Sequence, residues 1–150
     1  MYTTLLILHS LLRWAVLLAG ILAVVRAFSR GRGWTPSHDA AGKWYVITLD
    51  VQLLIGLVLY GLSPIVRAAL SDLGTAMGQT VLRFFAIEHI TAMIVAVALA
   101  HIGRSRTRRA QTEHARFRAA AVFYTLSLVF VLIGIPWPFV PAGRPWFPAW

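Results

Sequence analysis

The sequence predicts an all-α integral membrane protein, a four-helix up-down bundle forming one domain over residues 1–150. Three observations carry this reading: four long apolar runs, too few polar residues to cover a water-soluble globule, and arginine concentrated in two of the segments between runs. With 59% hydrophobic residues, a mean hydropathy of +0.73 and only five acidic residues, the chain requires an apolar solvent.

The spans are expected at about 4–28, 44–63, 82–103 and 119–135. Each is long enough for a ~30 Å hydrocarbon layer at ~1.5 Å per residue. The first run has no basic segment before it and no cleavage site after it, so it reads as a retained span rather than a signal peptide.

Charge sets the orientation. Ten of the fourteen basic residues lie in or beside two segments. Arg26, Arg30, Arg32 and Lys43 surround the first loop; Arg104, Arg106, Arg108, Arg109, Arg116 and Arg118 fill the loop before span four. Both loops are therefore expected in the cytoplasm, with both chain ends outside (N-out/C-out), in a bacterial inner membrane. The positive charge points to anionic headgroups and not to nucleic acid, because no aromatic-interleaved basic groove accompanies it. Residues 64–80 carry only Arg67 and Asp72 and are expected outside, as a short helix on the membrane surface. After span four, Ile135-Pro136-Trp137-Pro138-Phe139 and Pro145-Trp146-Phe147-Pro148-Ala149-Trp150 cannot form a regular helix. That tail is expected along the outer interface as an aromatic anchor.

Cysteine is absent, so any redox centre must be held by His or Met. Ionisable side chains at membrane depth are costly and usually functional; here they are His9, Arg13, Asp50, Glu88, His89 and His101. At ~1.5 Å per residue, His9 lies roughly 8 Å and His89 roughly 10 Å below the outer boundary. Two imidazoles from different helices at one level suit axial ligation of a single haem b, each donating its other N–H to a second acceptor. The alternative is a pair bonded through a water. Zinc or copper would want a third or fourth protein ligand, and none lies at this depth.

Small residues on the same helices, Gly20 and the repeat Ala92, Ala96, Ala100, suit either a macrocycle or close helix packing. Arg83, at the mouth of span three, is the expected partner of haem propionates. Arg13, one turn deeper than His9, is expected in a structural ion pair with Glu88 or Asp50. His101 is expected at the inner interface, satisfied by water or loop backbone. A second haem between His101 and His114 is disfavoured: His101 lies twelve residues, about 120° around a helix, from His89. His38 is expected to face solvent.

Five segments together touch all four spans: His9-Ser10-Leu11-Leu12-Arg13-Trp14, Asp50-Val51-Gln52-Leu53-Leu54-Ile55-Gly56-Leu57, Arg83-Phe84-Phe85-Ala86-Ile87-Glu88-His89, His101-Ile102-Gly103-Arg104-Ser105 and Ile135-Pro136-Trp137-Pro138. Through them the chain resembles small bacterial four-helix membrane proteins labelled cytochrome B or cytochrome-b-like. The resemblance implies haem b held by intramembrane histidine; choosing His9 and His89 rests on their depth.

The expected function is electron transfer by a membrane-embedded b-type cytochrome, alone or within a larger respiratory or photosynthetic assembly, with no substrate site of its own. A haem-free accessory subunit packed against other membrane subunits is the alternative. A proton or ion carrier using Asp50, Glu88 and Arg13 is a third, and a bundle this small would have to oligomerise to form a pathway.

Overall fold

A computed structural model describes residues 1–31 and 33–147. The elements in order are α1 (Tyr2–Phe28), α2 (Pro36–Leu62), α3 (Pro64–Ser71), α4 (Leu73–Gly78), α5 (Thr80–Arg83), a π turn (Phe84–Glu88), α6 (His89–Arg109) and α7 (Glu113–Gly134). No strand occurs among the described residues. Helix α5, the π turn and α6 run on as one helix, Thr80–Arg109. With α1, α2 and α7 it makes four helices long and apolar enough to cross a membrane, the mark of a multi-pass membrane protein.

The four long helices pack in cyclic order: α1 on α2, α2 on α6, α6 on α7, and α7 back on α1. Glycine lets them approach closely. A Cβ on Gly20 would stand 2.8 Å from the Tyr45 ring, and one on Gly42 would collide with the Tyr124 hydroxyl. Ala96, Ala100, Tyr45 and Tyr124 are almost wholly buried in the same core. The small residues at Gly20, Ala96 and Ala100 therefore serve helix packing and leave no room there for a macrocycle. Within this core Ser127 donates to the Ala96 carbonyl (2.7 Å) and Tyr45 donates to Ser127 (2.8 Å), joining α2, α7 and α6.

The helices overrun the expected spans where capping allows. Helix α2 starts at Pro36 because Thr35 and His38 form a capping box and proline occupies the first turn. His38 is consequently buried, not solvent-facing. Its Nδ1 meets the Thr35 amide at 3.1 Å, its Nε2 meets the Ser29 carbonyl at 3.1 Å, and its ring packs between Trp34 and Phe117. Helix α7 starts at Glu113, capped by the Thr112 hydroxyl.

The two basic segments meet at one end of the molecule. Arg104 grips Asp39 through Nη1 and Nη2 (2.5 and 3.0 Å), and the Trp34 amide donates to Glu113 (3.1 Å). Gly33 (φ +71°) is required at that junction, since a Cβ there would stand 2.9 Å from the Glu113 carboxylate. Arg32, counted in the first basic loop, lies outside the described residues, as do residues 148–150 of the tail.

The remaining tail packs on the protein and leaves Phe139 and Phe147 exposed. It turns back onto α1, so that Trp146 and Phe147 stack on Trp14 at 6.2 and 5.8 Å. The turn needs Gly143, where a Cβ would stand 2.5–3.0 Å from the carbonyls of Trp137, Val140 and Pro138.

Candidate functional site

The cleft that matters opens among the α1 start, the α2 end, the π turn and the tail, and narrows toward Leu49, Val97 and Val131. Its cavity volume is about 150 Å³, so a ligand of cofactor size, whose sites usually span ~300–1,000 Å³, would extend out through the mouth. His9 and His89 line it from helices that are not neighbours in the ring.

His89 comes directly after the π turn. Such a turn adds one residue to a helix and re-aims the side chains beyond it, and it recurs at functional sites. The Tyr60 hydroxyl ties the turn to α2 by donating to the Ala86 carbonyl (2.8 Å). His89 Nδ1 lies 2.6 Å from the Gly134 carbonyl. A carbonyl only accepts, so Nδ1 carries the proton and Nε2 keeps a free lone pair. The Gly134 carbonyl is available because its helical partner four residues on is Pro138, which has no N–H, and the Trp137 amide bonds Ile135 instead (2.9 Å).

His9 faces the floor made by Gly56, where a Cβ would lie 3.1 Å from its Cε1. Its backbone carbonyl accepts from the Gln52 amide (2.9 Å), which pins α1 to α2 at this level. Among the described residues the ring itself makes no hydrogen bond, and its Nδ1 is buried without a partner. The centroids of the His9 and His89 rings are 6.3 Å apart, with planes at 72°. A metal–imidazole bond is about 2 Å and a ring nitrogen lies about 1.1 Å from its centroid, so one ion between two facing imidazoles spaces the centroids by roughly 6 Å. The centroid separation of the pair matches that spacing. No group of three or more His, Asp or Glu occurs among the described residues, so further ligands would have to come with the ion, as a haem macrocycle's do.

Three expected partnerships are redistributed. Arg13 faces neither Glu88 nor Asp50. Helical side chains lean toward the N-terminus, which carries its guanidinium up α1 to the tail, where Nη2 donates to the carbonyls of Pro145 (3.1 Å) and Trp146. A proline-rich segment has carbonyls to spare, and they take Nη2 of the buried cation in place of a carboxylate, while its Nε is buried without a partner among the described residues.

Glu88 instead pairs with Arg83 (2.6 Å), five residues earlier on the same continuous helix. Arg83 also donates to the Met77 carbonyl (2.9 Å) and does not line the cleft. Asp50 pairs with His101 (2.8 Å), replacing the water or loop backbone expected there, and both side chains are about half exposed on the outside of the helix ring.

Sequence reasoning missed Gln52, Gly56, Gly134 and Arg144. Gln52 escaped because only ionisable groups were weighed at depth. Gly134 had a legible signal in the two prolines that come after it. Arg144 belongs to a tail that looked peripheral, yet it lines the cleft with its guanidinium 5.1 Å from the Phe85 ring centre. No family model, curated protein or solved structure matches this chain.

Proposed function

We propose that this chain is an N-out/C-out four-helix bundle of a bacterial inner membrane that binds one haem b through His9 and His89 and passes electrons, alone or as a subunit of a respiratory or photosynthetic assembly. The observation that carries the reading is the adjacent imidazole pair, 6.3 Å between centroids, with uncommitted nitrogens in an apolar cleft. Edge-to-face rings pack over a similar range, ~4.5–7 Å. Simple packing, however, does not call for a His89 held with its Nε2 lone pair free, nor for a His9 ring that bonds nothing. The meeting of both basic segments at one end supports the orientation, and the resemblance to cytochrome-b-like proteins points the same way.

A bound haem would supply one-electron chemistry at its iron. The chain's own part is to present the two ring nitrogens, to fix their aim through Gly134, Gln52 and Gly56, and to keep water from the inner end of the cleft with Leu49, Val97 and Val131.

A second reading, a haem-free accessory subunit, draws on the His101–Asp50 pair. A half-exposed polar pair on candidate spans is costly against lipid and suits contact with another membrane subunit. A reduced-minus-oxidised visible spectrum of the purified protein separates the two. We expect a low-spin b-type spectrum, lost in His9→Ala and in His89→Ala and retained in His38→Ala and His114→Ala. A wild-type protein without such a spectrum leaves the accessory reading standing, and a normal spectrum in either of the first two variants removes that residue as a ligand.

A further inference from the structure

The charges around the cleft are one-sided. Two cations line it, Arg13 and Arg144, and no carboxylate does among the described residues. All five acidic residues of the chain are engaged elsewhere: Asp39 with Arg104, Asp50 with His101, Glu88 with Arg83, Asp72 with Thr75, and Glu113 with the Trp34 amide. Among the described residues the hydrogen-bond partners of Arg13 are backbone carbonyls. Arg144 has no carboxylate within ion-pair distance among the described residues; its guanidinium rests on Phe85 at the mouth. Two such cations beside an apolar cavity complement a ligand with an apolar body and an acidic edge.

We propose that Arg144, with Arg13 behind it, binds the carboxylate edge of the cleft's ligand, and that the folded-back tail is a wall of the site. On the haem reading, on which this inference rests, that edge is the propionate pair expected above for Arg83. The tail's geometry serves the placement. Gly143 permits the turn, the Arg144 amide donates to the Pro136 carbonyl (3.0 Å), and Arg13 holds the next two residues, so Arg144 is fixed at both its flanks. Tail, π turn and α1 then meet over the same opening.

The test changes the ligand before it changes the protein. Full-length protein in detergent micelles is titrated with haem b and with haem b dimethyl ester, in which both propionates are masked, and binding is read by visible absorbance. We expect the wild type to prefer the acid form by about tenfold or more, the scale of a charge-assisted hydrogen bond. Arg144→Gln should bring that preference down to about twofold while leaving ester affinity unchanged, and Arg144→Lys should keep part of it. Unchanged ester affinity shows that the variant's histidine pair is intact. Equal wild-type binding of acid and ester, or a preference undiminished in Arg144→Gln, overturns this inference and leaves the histidine ligands standing. Binding of neither form overturns the haem reading and this inference with it.

Discussion

Replacing Arg13 by leucine should release the C-terminal tail. The guanidinium makes two charge-assisted bonds to the carbonyls of Pro145 and Trp146, worth about 1.5–3 kcal/mol each. Removing a buried cation also relieves its desolvation, so we take the low end of the sum, about 3 kcal/mol. The stacking of Trp14 on Trp146 and Phe147 adds only about 0.5–1.5 kcal/mol per pair. The assay is amide hydrogen exchange in detergent at Trp137, Val140, Gly143 and Arg144, whose N–H groups close the turn. A 3 kcal/mol loss corresponds to exchange about a hundredfold faster at these amides, with the helices unaffected. Adding Glu88→Leu or Asp50→Leu should not restore protection, because those carboxylates belong to Arg83 and His101. Unchanged protection in Arg13→Leu, or rescue by either second change, would refute the assignment of Arg13 to the tail.

Other perturbations probe the remaining contacts. Gly56→Val should displace the His9 ring, which has only 3.1 Å of clearance there; we expect haem incorporation to fall to the His9→Ala level with helix content unchanged by circular dichroism, and normal incorporation would contradict the packing. Ser127→Ala should cost more than Tyr45→Phe in a detergent unfolding titration, by about 1–2 kcal/mol. The first leaves a fully buried phenol without its partner, whereas the second leaves Ser127 bonded to Ala96; equal losses would count against the network. At Asp72, the cap of α4, hydrogen bonding from the Thr75 hydroxyl and then its amide holds the carboxyl below its ordinary value of 3.8. A depressed folded pKa means stability present above the unfolded value and lost as pH falls through the folded one. The α4 cap should therefore persist to pH values below 3.8, and its nuclear magnetic resonance titration should show that; a midpoint above 3.8 would reverse the sign.

The sequence by itself determined that the chain is helical, where its four long helices lie, and which residues were candidates at depth. Those come from quantities summed along the chain: hydropathy over about 20 residues, the placement of arginine, and a rise of ~1.5 Å per residue. The same rise placed His9 and His89 at one level, and the structure brings their rings together edge to face. Partner choice lay beyond it. Arg13 and Glu88 are near in depth, but depth ignores the lean of side chains toward the helix N-terminus and the competing acceptors on a chain that turns back. His38 looked like a loop residue because its burial depends on the Ser29 carbonyl nine residues earlier and on the Phe117 ring of another helix. The π turn before His89 has no signature in composition, since inserting one residue changes a direction and not a hydropathy sum. The tertiary structure alone could decide that a proline-rich tail supplies acceptors to Arg13 and delivers Arg144 to the cleft. Those contacts join residues far apart along the chain, and a pairing of that kind is set by the geometry of packed helices rather than by any local pattern.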